Sequence, residues 1–184
     1  MGLKKFLICT VLFTAIFSTC NAAQVPLSNE KYDDFFLKMA SFLYSDNVQK
    51  RFPFFITHLD KDEKGIPEHN LDVWYAFFGK KEADTPDGQV MLFVNKDGYV
   101  SSVKVTILKN ENKDINYSIV AGSALWTMGL TSEETQHLMT GGETNDGIYV
   151  SDVQNAALNK KFILMTAEET DRIQVAIFAS DNNE

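Results

Sequence analysis

The feature that most constrains this chain is residues 89–108, QVMLFVNKDGYVSSVKVTIL. Two apolar runs flank NKDG, where Gly98 can take the positive φ of a tight turn without steric cost. In the second run Val103, Val105 and Ile107 alternate with Lys104 and Thr106. That period of two belongs to a strand with one buried face and one wet face. A chain carrying this hairpin has to build an antiparallel sheet and cover at least one side of it.

The rest of the sequence supplies more strands. Residues 72–79, DVWYAFFG, are apolar on both alternating sides and read as a central strand, with FFITHL at 54–59 as a short one before it. After the polar break NENKDIN come GIYVSDV, KKFILMTA and RIQVAIFA. In the last of these Ile173, Val175 and Ile177 point one way and Arg172, Gln174 and Ala176 the other.

Helices lie between the strand groups. In SNEKYDDFFLKMASFLYSDN, from residue 28, Tyr32, Phe36, Met39 and Leu43 recur at helical spacing, widened by Phe35 and Phe42. Ser28 or Asn29 is suited to cap its start, and Pro53 stops any continuation. Residues 117–142 read as a helix pair. Gly129 ends the first, Thr131 and Glu134 form a capping box for the second, and Gly141-Gly142 stops it.

The expected fold is therefore α+β. It has a largely antiparallel sheet of six or seven strands, an N-terminal helix and a central helix pair. Corresponding strands of the two halves lie roughly 72 to 76 residues apart, which suggests a duplicated helix-plus-meander unit, although residue identities do not repeat.

The N-terminus reads as an address. Lys4 and Lys5 precede an apolar run at 6–17, then a small and polar stretch ending in CNAA. This is the order of a secretory signal peptide, and the run is short of the ~18 residues a membrane span needs. Small residues at Cys20 and Ala22 place the cut after Ala22. That leaves 1–22 as signal peptide and 23–184 as one domain, secreted or periplasmic. The rival is lipid anchoring through Cys20, which the bulk of Thr19 and Phe17 disfavours.

Cleavage removes both cysteines, Cys9 and Cys20, and with them any disulfide, thiolate nucleophile or Cys-bound zinc. It also removes two lysines, leaving 15 basic against 25 acidic residues, net −10. Such a chain repels nucleic acid and anionic lipid. Neither a nucleic-acid partner nor a membrane span is expected.

Motifs for chemistry are weak. LDKDEKGIPEHNL, residues 59–71, has the D-x-D-x-x-G opening of a calcium loop. Lys64, however, stands where an oxygen ligand belongs, and Leu71 replaces the closing glutamate. A solvated turn with Gly65 at positive φ is the expectation. His58, His69 and His137 have no metal-ligand spacing. AGSAL lacks the second glycine of a nucleophile elbow. GGETNDG leaves a helix instead of entering one, so it lacks a phosphate cradle.

These readings point to an exported, non-enzymatic binding module for another protein, for a second copy of itself or for an envelope component, without cofactor or metal. The alternatives are an exported hydrolase with a carboxylate and histidine site, or a structural subunit pairing through its sheet edge. Trp74, Tyr75, Trp126 and Tyr149 are the candidate partner-binding residues, since Trp and Tyr anchor many interfaces.

Overall fold

The structure is a computed structural model, and it describes residues 25–81 and 83–181. The expected signal peptide, its expected cut and both cysteines lie outside the described residues.

The chain is mixed α+β, built on one antiparallel sheet. Its strands are β1 (Phe54–Ile56), β2 (Asp60–Ile66), β3 (Leu71–Lys80), β4 (Gly88–Val94) and β5 (Val100–Leu108) in the first half. The second half holds β6 (Glu143–Asn145), β7 (Ile148–Asn155), β8 (Lys160–Glu168) and β9 (Arg172–Asp181). The strand order is β1-β3-β4-β5-β9-β8-β7-β6, with β2 also paired to β3. The sheet thus has nine strands rather than six or seven.

Both added strands lie at the margins. β2 runs through the charged stretch that reads as a loop, pairing Asp60 with Tyr75 and Ile66 with Leu71 across a bulge. Its own burial is slight, but it gives the outer backbone groups of β3 a partner. β6 is entirely exposed and folds back on β7 through Asp146 and Gly147, at φ 50° and 81°. Two positive φ values between paired strands make the two-residue turn whose twist suits a hairpin.

The NKDG hairpin forms as expected. β4 and β5 pair antiparallel, Gly98 sits at φ 81°, and Val103, Val105 and Ile107 are buried. Gly88 is needed for close approach. A Cβ there would collide with the Thr106 carbonyl oxygen and the Phe78 ring.

The helices are α1 (Tyr32–Leu43), α2 (Asp46–Arg51), α3 (Lys113–Asn116), α4 (Gly122–Thr127) and α5 (Ser132–Thr140), with a π-helical stretch, Tyr117–Ala121, joining α3 to α4. α1 buries Phe35, Phe36, Met39 and Leu43. Its N-cap is Lys31, not Ser28 or Asn29, and no side chain caps it. Instead the Tyr32 amide donates to the Gly98 carbonyl at 3.0 Å, so the β4–β5 turn satisfies the helix start. α5 carries the expected capping box, with Thr131 accepting from the Glu134 amide and the Glu134 carboxylate accepting from the Thr131 amide.

All of these helices that reach the main core do so from one side of the sheet. Ala76, Phe78, Val90, Leu92, Phe162, Leu164 and Ile177 share a single cluster with Phe35, Met39, Leu43, Leu125 and Leu138. Each large apolar side chain fully buried this way contributes roughly 1.5–3 kcal/mol. Because strand residues alternate, every second residue of β3, β4, β5, β7, β8 and β9 then points to the other face, which carries no described helix.

Candidate binding surface

Strand register assigns residues to that helix-free face. Val73, Tyr75 and Phe77 on β3 stand beside Phe93, Met91 and Gln89 on β4. Across the centre, Ser102, Lys104 and Thr106 on β5 face Phe178, Ala176 and Gln174 on β9. Beyond them Ile163 and Met165 on β8 lie between Phe178 and Ala176 on one side and Asp152 and Val150 on the other.

The apolar members form two separate clusters. One holds the buried Leu71, Val73 and Phe93 with the partly buried Ile66 and Met91 packed against them. The other holds the buried Ala167 and Ala176 with the partly buried Ile148, Met165 and Phe178. A polar stripe of Ser102, Lys104, Thr106 and Gln174 separates them, and the Thr106 hydroxyl donates to Gln174 Oε1 at 2.9 Å. Near the rims Phe77 and Val150 are 38% and 40% exposed, large fractions for apolar side chains on a sheet. A wet sheet face usually carries polar residues at such positions.

The four residues singled out from sequence do not gather. Tyr75 lies on the helix-free face, edge-on to Phe77 at 5.8 Å. Trp74 points to the opposite side, stacked on Tyr32 at 4.5 Å and packed against the main core, with its indole N–H buried and unpartnered among the described residues. Tyr149 is a latch. Its hydroxyl donates to the Leu138 carbonyl and accepts from the Gly142 amide, both at 2.9 Å, fixing the end of α5 against β7. Trp126 is exposed on α4, tilted against Phe42 at 5.6 Å with the Lys38 ammonium 5.8 Å above its ring.

Met91, Met165, Ile163 and Phe178 are not Trp or Tyr, the residue types whose chemistry singles them out in a sequence as interface anchors. The usable signal was alternation. In VMLFV, FILMT and VAIFA both sets of alternating residues are apolar, so both faces of those strands carry apolar side chains.

The stretch at 59–71, expected as a turn and found to hold strand β2, keeps its acids in local contacts. His58 Nε2 lies 3.0 Å from Asp60 Oδ1, and Asp62 Oδ1 accepts from the Lys64 amide at 3.0 Å. Gly65 takes φ 54° as expected. Among the described residues no group of three or more His, Asp or Glu side chains converges as a cation site would require. Beside this stretch lies an open cleft of about 350 Å³, lined in part by Lys61, Lys64, Asn70, Asp72, Asn95 and Lys96. Lys61 is bound to Asp72 at 2.8 Å.

Titratable groups with shifted behaviour are dispersed. A hydrogen bond from Lys109, at 2.8 Å, holds the Glu168 carboxyl below its ordinary range. Burial pushes the Tyr117 phenol up, and burial pushes the Lys160 ammonium down while Asp181 opposes it. Asp87 is the buried carboxylate among the described residues, and it faces no histidine. It accepts from the Lys80 amide at 3.2 Å and from Asn110 Nδ2 at 2.5 Å, tying the β3–β4 turn to the end of β5. His58 and Asp60 do meet, and both are in solvent.

Fold and surface together define an α+β protein with a single antiparallel sheet, helices on one face and two small, largely buried apolar clusters on the other. No family model, curated protein or solved structure matches the chain. No described helix is long and apolar enough to cross a membrane.

Proposed function

We propose that this chain is an exported, non-enzymatic binding protein whose working surface is the helix-free face of the sheet. The observation that carries the reading is the pair of apolar clusters on that face, each set on a different half of the sheet. Around the buried centres of these clusters, Met91, Met165 and Phe178 are only partly buried and Phe77 and Val150 are exposed, so apolar atoms reach the surface on both sides of the stripe, the kind of position a partner covers. A sheet face is also a rigid platform, so little conformational entropy is lost when it binds. Export rests on the leader: cleavage after Ala22 yields a secreted or periplasmic protein.

We also infer that the two halves arose from one helix-plus-meander unit. The sheet order reads as one meander, β3-β4-β5, meeting its counterpart, β9-β8-β7, at the β5–β9 pair. A duplicated unit accounts for two apolar clusters placed on either side of that junction. Among the sequence candidates, Tyr75 belongs to the working surface. Trp126 is a secondary contact on the helix side, while Trp74 and Tyr149 serve the fold.

The test is position-dependent cross-linking in the producing cell. A photoreactive phenylalanine analogue at Phe77 or Val150 should give a discrete heavier adduct. The same analogue at Leu37 or Tyr44, exposed on the helix side, should give none. Adducts from α1 with none from the sheet face would overturn the reading.

A further inference from the structure

We infer that the occupant of the helix-free face is a second copy of this chain, packed sheet to sheet about a twofold axis. This inference rests on the proposal that the face is a contact surface, and it names the partner.

The first argument is self-complementarity. Register places the apolar clusters on β3–β4 and on β7–β8–β9, with the polar stripe of Ser102, Lys104, Thr106 and Gln174 between them. The distance from β4 to β8 is three strand spacings, roughly 14 Å. Take a half-turn about an axis parallel to the sheet, over the stripe and midway between the two packed copies. With the axis along the strands, each cluster meets the other cluster of the second copy. Placed between β5 and β9, that axis sets Met91 against Met165, Phe93 against Ile163 and Thr106 against Gln174, and Lys104 falls over Ala176 instead of over its own copy. A surface that matches itself under a twofold is what an isologous dimer requires. An arbitrary partner would have to present two apolar patches at this spacing, whereas a second copy already does.

The second argument is area. Six strands from β3 to β7 lie five spacings apart, roughly 24 Å, and about eight residues along each give roughly 27 Å, a footprint near 650 Å². Standard interfaces take about 800 Å² from each partner and weak ones about 600 Å², so a face of this size suits a weak dimer. Sheets packed at ~10 Å with strands ~30° apart would interdigitate Met91, Ile163, Met165 and Phe178 from the two copies. The stripe stays polar and takes up bridging water, as interface polar groups commonly do. On the rim, Asp152 and Lys161 already neutralise each other at 2.5 Å, so they add little repulsion.

The experiment is sedimentation equilibrium on the whole chain as purified from producing cells, from about 5 μM to about 500 μM, which spans the range of weak to moderate dimers. The weight-average mass should climb towards two chains and stop there. Met91→Asp with Met165→Asp should hold the protein at one chain throughout. Leu37→Asp, at a position 64% exposed on the helix side, should associate like the wild type. Circular dichroism melts check that each variant folds. If the double Asp variant does not fold, Met91→Gln with Met165→Gln replaces it and should weaken association at least tenfold. One-chain mass across the whole range, or association that the double variant leaves intact, overturns the inference. If the wild type stays at one chain while cross-linkers at Phe77 or Val150 capture a different protein, the second copy is excluded and the sheet-face reading survives. If it stays at one chain and those positions capture nothing, both fall.

Discussion

Tyr149 shows how a residue chosen for its chemistry can be claimed by the fold. Phenols gather at interfaces because one end is apolar and the other can hydrogen-bond. The same two properties let Tyr149 pack against the main core and hold both the Leu138 carbonyl and the Gly142 amide. Removing its hydroxyl leaves those two backbone groups to find water. Tyr149→Phe should therefore lower unfolding stability by about 1–2 kcal/mol, read from a urea titration, and leave cross-linking at Phe77 unchanged. Loss of the cross-link without loss of stability would instead make Tyr149 a contact residue. Trp74 makes the same point from geometry. It neighbours Tyr75 in sequence, yet strand alternation sends the two rings to opposite faces, Trp74 onto Tyr32 and Tyr75 beside Phe77. Sequence names the ring, but only the position of the helices says which of two adjacent rings is left bare.

Among the elements, local signals decided what could be read. The β4–β5 hairpin was legible because turn chemistry and alternation agree: Gly98 supplies the positive φ, and Val103, Val105 and Ile107 mark the buried side. The capping box of α5 was legible for a similar reason, since Thr131 and Glu134 satisfy each other's amides three residues apart. Thr131→Ala should cost about 1 kcal/mol, measured as a lower urea midpoint with an unchanged slope, and it should loosen α5 without touching the sheet. An unchanged midpoint would mean that packing of Leu138 alone holds this helix. β6 was missed although N-D-G is among the strongest hairpin signals, because its three strand residues are polar and exposed. β2 was missed for a different reason. DKDEKG has no strand character of its own, and it becomes a strand because β3 offers an unpaired edge. The start of α1 was misread because its cap comes from a distant turn, the Gly98 carbonyl, rather than from the neighbouring Ser28 or Asn29.

For the whole molecule, the α+β class and the antiparallel sheet follow from the order of periodic segments, and one prior clue to the surface was present too. Strands such as VMLFV and FILMT are apolar on both sides, which requires cover for both faces. The helices provide one cover. What sequence does not contain is the assignment of Met91, Met165 and Phe178 to the uncovered side, since that depends on where α1, α4 and α5 settle. The central claim is that this face is covered in use and bare in isolation, and the methionines report on it directly. Met91 and Met165 are partly exposed on the helix-free face, Met39 and Met128 are buried at 0% and 2%, and Met139 is partly buried on the helix side. Methionine sulfoxide forms where oxidant can reach the sulfur. Mild peroxide footprinting, read by peptide mass spectrometry, should be run on dilute purified protein and on the protein inside the producing cell. In dilute solution Met91 and Met165 should oxidise well ahead of Met39 and Met128. Within the cell Met91 and Met165 should be protected while Met139 keeps its dilute rate. Equal oxidation of Met91 and Met165 in both settings, relative to Met139, would contradict the account.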